Sequence, residues 1–252
     1  KIHSDLILVW IDTQSVKEVS DALYKNELRR DAKLDLQKIL DEKSSLLEKG
    51  KMSIKMRKGK VYQELALQAK TSGTEIIVVG THGISGFEEF WIGSNAFKIV
   101  SYASCPVVSV RVDYDINQDV NTIVLPMDNS SDSLKKVPTA VKLAKAFHAK
   151  IHLLSIYTTS LSSLKKKVDR SSDEAEKYIL KENVPYEIKR MQSNNLPVSV
   201  INYAKEVNAD MVVIMTDQEK ANLSILMGDY SQKIINLSTM PVLSVKPENL
   251  FL

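Results

Sequence analysis

Glu75-Ile76-Ile77-Val78-Val79-Gly80-Thr81-His82-Gly83, then nine residues from Ile84 to Ile92, then Gly93-Ser94-Asn95-Ala96-Phe97 is the stretch on which the fold turns. A short run of branched apolar residues behind a carboxylate predicts a buried parallel strand over Ile76–Val79. Gly93-Ser94 predicts the opening of a helix that carries Phe97, Ile99 and Val100. Glycines at the carboxyl end of such a strand let backbone N–H groups close on phosphate oxygens and accept a positive φ. A helix start behind them offers unpaired N–H groups and the positive end of a dipole. Strand, glycine loop and helix in this order suit a ligand crevice in a doubly wound parallel sheet.

The same pattern returns 135 residues later without a gap. Thr74-Glu-Ile-Ile-Val-Val-Gly80 aligns with Ala209-Asp-Met-Val-Val-Ile-Met215, and Cys105-Pro-Val-Val-Ser-Val-Arg111 aligns with Met240-Pro-Val-Leu-Ser-Val-Lys246. Upstream, Met52-Ser-Ile-Lys-Met-Arg57 falls on Glu187-Ile-Lys-Arg-Met-Gln192, alternating segments expected to be half-exposed strands. Helical stripes lie between the strands: Val61, Leu65 and Ala69 in the first repeat, and Val200, Ile201, Ala204 and Val207 in the second, behind Pro197. A longer stripe in the first repeat carries Leu28, Ala32, Leu36, Ile39 and Leu40.

The second repeat adds a leading unit: the strand Thr122–Asp128, a helix with Val137, Val141, Ala144 and Phe147, and the strand Ile151–Ile156. Alternating strands and helices predict two tandem α/β, Rossmann-like doubly wound domains. The polar segment Asp113–Val120 is the expected linker, giving domains 1–114 and 115–252. Lys1-Ile2-His3 resembles Lys150-Ile151-His152, which predicts that the first repeat lacks its leading strand and helix in this sequence.

The spacing Gly-x2-Gly-x9-Gly-Ser, met by Gly80, Gly83, Gly93 and Ser94, resembles the ATP-binding signature of the universal stress protein family. Cys105-Pro-Val-Val108 is similar to that family's terminal strand, and Ile123–Asp128 with Ser130 and Ser133 to its opening strand. The resemblance implies that the first repeat holds ATP or a related nucleotide, with Mg2+, through Gly80, Thr81, His82, Gly83, Gly93, Ser94 and Asn95. It places Trp10 near an adenine pocket. In the second repeat Pro126, Asp128 and Gly228 keep the pattern, whereas Gly80, Gly83 and Ser94 are replaced by Met215, Gln218 and Asp229. A phosphate 4 Å from the Asp229 carboxylate would meet repulsion of ~1 kcal/mol in water and ~4 kcal/mol near a protein surface. That second site is therefore expected to be degenerate.

The resemblance also implies a stress-response regulatory protein that works by binding rather than by chemistry, with an as yet unnamed protein partner. The alternatives are a nucleotide-free scaffold and a slow ATPase. No Gly-x4-Gly-Lys-Ser/Thr loop and no Gly-x-Ser-x-Gly elbow occurs in the sequence, and no catalytic residue is assigned. The terminal strands Pro106–Val110 and Pro241–Val245 resemble dimerising edges, so an intramolecular pseudo-dimer is expected, with a homodimer as the higher assembly.

Composition narrows the classes. With 34 basic and 31 acidic residues the net charge is +3, too even for a nucleic-acid footprint, and no apolar run approaches the ~20 residues of a membrane span. The single cysteine, Cys105, precludes an internal disulfide and, as a small hydrophobe before a buried strand, is not assigned as a nucleophile. A cytoplasmic protein without nucleic-acid or membrane partners is the expectation. His82 with His3, His148 and His152 forms no metal-ligand spacing, and no metal site is assigned. Lys165-Lys166-Lys167 reads as a solvated face.

Overall fold

The computed structural model describes residues 5–13, 22–47, 50–81, 92–130, 132–216, 218–221 and 224–247. The chain divides into two compact units, Lys1–Gln68 and Ala69–Leu252.

In the first unit, β1 (Leu6–Asp12) and β2 (Met52–Lys58) pair in parallel from Leu6↔Met52 to Asp12↔Lys58. Between them runs α1 (Ala22–Lys43), which carries the long stripe seen in the sequence. The stripe is less sheltered than its periodicity suggests: Leu28, Ala32, Leu36 and Leu40 are half-buried and Ile39 is exposed. Helix α2 (Val61–Ser72) follows, entered through Gly59, whose φ of +148° is a conformation that side chains rarely adopt.

The second unit is built on a seven-stranded sheet. Its strands are β3 (Ile77–Gly80), β4 (Val107–Val110), β5 (Thr122–Met127), β6 (Lys150–Tyr157), β7 (Tyr186–Gln192), β8 (Met211–Met215) and β11 (Val242–Val245). Their spatial order is β3-β4-β11-β8-β5-β6-β7. Helices α3 (Ser94–Tyr102), α4 (Val137–Phe147), α5 (Ser162–Lys181), α6 (Leu196–Glu206) and α7 (Asp229–Leu237) connect them. A hairpin, β9 (Gln218–Ala221) with β10 (Ser224–Met227), stands apart from the sheet. The run β11-β8-β5-β6-β7 is a parallel doubly wound sheet with β5 at its centre.

The repeat holds in the hydrogen bonds as well as in the letters. The Ile77 N–H donates to the Pro106 carbonyl at 3.0 Å, and the Val212 N–H to the Pro241 carbonyl at 3.0 Å. The Thr81 N–H donates to the Val110 carbonyl at 2.9 Å, and the Thr216 N–H to the Val245 carbonyl at 2.8 Å. Each pair is separated by the sequence offset of 135 residues.

At the N-terminal end Met52 pairs with Leu6 and its repeat partner Glu187 pairs with His152, so Leu6 holds the place of His152. Lys1-Ile2-His3, likened above to Lys150-Ile151-His152, lies outside the described residues. Among the described residues no strand pairs with both β1 and β3 in the first repeat, as β5 pairs with both β6 and β8 in the second. The first repeat's strands accordingly form two separate pairs, β1-β2 and β3-β4. Val78 on β3 is 66% exposed, whereas its repeat partner Val213 is fully buried between β5 and β11.

β4 and β11 pair antiparallel, Val242↔Ser109, Leu243↔Val108 and Ser244↔Val107. The two terminal strands thus meet within one chain, as expected for a pseudo-dimer. The main core behind the seam gathers Leu125, Ile151, Leu153, Ile179 and Val213 from the second repeat, with Leu243 at its edge and Val108 from the first. Leu243 is fully buried at the pairing. Replacing it with alanine should lower unfolding free energy by about 2–5 kcal/mol, read from urea denaturation followed by circular dichroism. A loss below about 1 kcal/mol would mean that the seam contributes little to stability.

Candidate functional site

Strand β5 opens the crevice of the second repeat. It pairs with β6 at six positions, from Thr122↔Lys150 to Met127↔Ser155, but with β8 only at Ile123↔Met211 and Val124↔Val212. Beyond these, Pro126 offers no N–H to either neighbour, and β5 and β8 part at their carboxyl ends. Asp128 follows at once. Its Oδ1 accepts the Ser130 N–H at 2.9 Å, and its own N–H donates to Ser133 Oγ at 3.2 Å. That tight turn spends one carboxylate oxygen on the chain itself. Nearby Lys136 is buried, and its ammonium donates to the Ser133 carbonyl at 3.0 Å and to Ser133 Oγ at 3.1 Å. A buried lysine at this point carries no periodic signal in the sequence.

The other wall of the crevice is filled. Met215 and Thr216 are buried at the end of β8, and Thr216 Oγ1 donates to the Val245 carbonyl at 3.2 Å. Gly228, also buried, caps α7 with φ −66°, and the first-turn hydroxyl Ser231 Oγ donates to the Met215 carbonyl at 3.0 Å. Asp229 is exposed and forms an ion pair with Lys233 one turn on, which offsets part of the repulsion expected of it. The hairpin β9-β10 fills the stretch between β8 and α7, with the β10 backbone beside α3. The sequence concealed this hairpin because Asn222-Leu223 lacks the glycine that marks a two-residue hairpin turn.

In the first repeat Gly80 ends β3 and is exposed, and Thr81 behind it is buried. His82 and Gly83 lie outside the described residues. Gly93 caps α3 with φ −58° and ψ 147°, an extended conformation open to any residue, so positive φ is not its reason for being glycine. Its N–H donates to the Thr81 carbonyl at 2.7 Å, fastening the helix start to the strand end. The preceding Ile92 N–H donates to Asn236 Oδ1 of α7 at 2.6 Å. Intrahelical bonding begins with the Phe97 N–H to the Gly93 carbonyl at 2.9 Å. Among the described residues the N–H groups of Ser94, Asn95 and Ala96 find no acceptor, and no side chain caps them. Ser94 and Asn95 are exposed. The structure thus brings Gly80, Thr81, Gly93, Ser94 and Asn95 together, whereas Trp10 belongs to the first compact unit, half-buried on β1. Among the described residues no three His, Cys, Asp or Glu side chains converge as a metal site.

With this geometry in place, the chain can be set beside known proteins. The profile of the universal stress protein family matches residues 3–111 and again 120–246. The chain belongs to the universal stress protein family. It is 36% identical over 88 residues to the universal stress protein YxiE of Bacillus subtilis, covering 34% of this chain and 60% of that protein. It is 26% identical over 139 residues to the universal stress protein MJ0531 of Methanocaldococcus jannaschii, covering 49% of this chain and 81% of that one. Matched segments thus span less than two thirds of YxiE. A universal stress protein from Archaeoglobus fulgidus superposes with a TM-score of 0.77 at 17% identity, over 97% of this chain and 88% of that chain. This likeness establishes the fold of the tandem family member. No described helix is long and apolar enough to cross a membrane.

Two titratable groups near the sheet lend themselves to measurement. Burial pushes the Cys105 thiol up to about 11, with Lys246 pulling slightly the other way. At pH 8 about one molecule in a thousand would carry the thiolate, so Ellman's reagent should label Cys105 only after denaturant is added. Rapid labelling of the native protein would contradict this burial.

His152 on β6 is also buried, its Nδ1 3.0 Å from the Tyr203 hydroxyl on α6. Burial lowers its pKa, Glu187 raises it and Lys150 lowers it, with a net downward shift. In the unfolded chain the imidazole titrates near ~6.5. Above that pH both states are neutral; below it the unfolded chain binds the proton first, so this histidine costs stability as pH falls from about 6.5 through the lower native value. The fall in urea midpoint from about pH 7.5 to about pH 5.5 should shrink in His152→Asn. An unchanged fall would assign the acid sensitivity elsewhere.

Proposed function

We propose that this universal stress protein is a stress-response regulator that binds ATP or a related nucleotide at the glycine cluster of its first repeat, residues 1–114. The second repeat, residues 115–252, acts as its paired, non-binding half. The observation that carries the reading is the set of N–H groups at Ser94, Asn95 and Ala96, unpartnered among the described residues, at a helix start that Gly93 ties to the end of β3. Backbone donors and a helix dipole at one point favour a phosphate. Gly80 brings no side chain to this point, and Gly83, outside the described residues, would bring none, whereas Met215, Gln218 and Asp229 hold the matching sequence positions in the second repeat. Mg2+ would accompany the polyphosphate and offset part of its charge, with no protein carboxylate assigned to it.

Binding rather than turnover is proposed because no positioned base accompanies the cradle among the described residues. The protein would act in the cytoplasm and signal occupancy to a protein partner, as a pseudo-dimer within one chain that itself pairs into a homodimer. A second reading, a nucleotide-free scaffold, draws on one observation: the first repeat's strands form two separate pairs, with no strand equivalent to β5 among the described residues.

Titration calorimetry with Mg2+ and ATP separates the two readings. Gly83→Val should weaken binding by about 1–3 kcal/mol, roughly 5- to 150-fold, and Gln218→Val should leave it unchanged. Equal losses in both variants would remove the site from the first repeat, and absence of binding in the parent protein would favour the scaffold.

A further inference from the structure

Strand β7 ends the seven-stranded sheet, and among the described residues no strand pairs with its outer side. At seven residues, Tyr186–Gln192, it is a long margin to leave without a partner. Two bonds to β6 fix which of its backbone groups are already used. The Ile151 N–H donates to the Pro185 carbonyl at 2.8 Å, and the Ser193 N–H donates to the Tyr157 carbonyl at 3.0 Å. Backbone groups along a strand point alternately to its two sides, so the odd-numbered residues from Pro185 to Ser193 face β6. The N–H and C=O groups of Tyr186, Ile188, Arg190 and Gln192 therefore turn outward.

The side chains along this margin are charged, and their order is specific. Glu187, Lys189 and Arg190 are exposed, whereas Tyr186, Ile188 and Met191 are half-buried. On the α5 side Arg190 Nη2 lies 3.6 Å from Asp173 Oδ1, and the Tyr186 hydroxyl donates to Glu176 Oε1 at 2.8 Å. On the opposite face Lys150 Nζ donates to Glu187 Oε1 at 2.7 Å. Glu187 Oε2, 3.9 Å from His152 Nε2, is too far from that ring for a hydrogen bond. Lys189 shares the face of Glu187 and has no carboxylate within ion-pair distance among the described residues.

Few registers are open to this margin if it pairs with a second copy of itself. In an antiparallel pair opposed side chains share a face, and a two-fold axis normal to the sheet preserves faces, so each register is centred on one residue opposed to its own copy. Registers that overlap more than three strand residues are centred on Ile188, Lys189 or Arg190. The last two set a cation against its own copy. The first sets Ile188 against Ile188 and opposes Glu187 to Lys189 on both sides of the axis. It also joins the outward groups of Ile188 to each other and those of Tyr186 to those of Arg190. The chain already closes one sheet margin in this way, because Leu243 and Val108, repeat equivalents at the 135-residue offset, oppose each other in the β4-β11 seam. We propose that β7 is the edge through which two copies of this chain pair, antiparallel about Ile188 and selected by the Glu187–Lys189 contacts. The inference rests on the homodimer reading above, to which it gives a surface, and is independent of the nucleotide site.

Sedimentation velocity on the full chain should show a concentration-dependent dimer. Lys189→Glu and Glu187→Lys, both at exposed positions, each set like charges against one another on both sides of the axis. Either variant alone should weaken the dimer at least tenfold while leaving the circular dichroism unchanged. An equimolar mixture of the two should associate as the parent does, because each then faces a copy of opposite charge. On oxidation, Ile188→Cys in a chain carrying Cys105→Ala should give a disulfide-linked dimer. Opposed hydrogen-bonded residues of an antiparallel pair stand about 5.5 Å apart at Cα, inside the roughly 4.4–6.8 Å that a disulfide spans. Faster linkage through Lys189→Cys than through Ile188→Cys, a dimer indifferent to both charge variants, or a mixture that fails to associate would leave the homodimer standing and overturn this edge. A parent chain that stays monomeric at every concentration would overturn both readings.

Discussion

The antiparallel meeting of β4 with β11 is the contact on which the larger unit depends. Each strand begins just after a proline and is short, and each would otherwise leave a row of N–H and C=O groups at a sheet margin. Joined, they make one seven-stranded sheet from two repeats and bring Val108 of the first into the core of the second. The pairing also explains why the compact units divide at Gln68 rather than in the linker: β3 and β4 are hydrogen-bonded to the second repeat's sheet, whereas β1 and β2 bond only to each other.

Around this seam the two repeats keep one plan of strand-end bonds. Those made by Ile77 and Thr81 recur at Val212 and Thr216 with near-identical lengths. The described helix starts that follow differ. In the first repeat the helix start keeps three N–H groups without an acceptor among the described residues. In the second, Asp229 sits at that start with Lys233 as its counter-ion, Ser231 ties the helix to Met215, and the β9-β10 hairpin precedes it. Strands fixed by packing leave the segments between them free to differ from one repeat to the other.

Much of this architecture was legible in the sequence because buried parallel strands are written as apolar runs with sharp ends. Ile76–Val79, Met211–Ile214 and the two post-proline strands appear within a residue or two of their expected limits, as does the helix after Pro197. Met52–Arg57 was expected as a half-exposed strand and forms one, with half-buried and exposed residues on both of its faces. Legibility failed where the signal is conformational or arises from tertiary contact. Gly93, read from the sequence as a helix opening, stands in extended backbone that any residue adopts. The β9-β10 hairpin has no turn glycine to announce it, and helix α5, with Lys166 and Lys167 exposed and Lys165 half-buried over the Tyr157 ring, hides its buried Val168, Ala175 and Ile179 among charges. The burial of Lys136 arises from a local fold-back onto Ser133, which no periodicity encodes.

Carrying both sides of a two-fold contact on one chain changes what substitution can do there. Between identical subunits, any replacement at a self-complementary surface appears twice, once on each side of the axis, and a bulky residue must tolerate its own copy. Here the residues that face across the axis, Val108 and Leu243, are encoded separately and already differ. Ser109 and Ser244 still match, and both hydroxyls are buried without a partner among the described residues, a shared cost that either side is free to shed alone. Covalent fusion therefore turns a symmetric surface into two independently mutable ones, and with that independence one half can lose a property that the other retains.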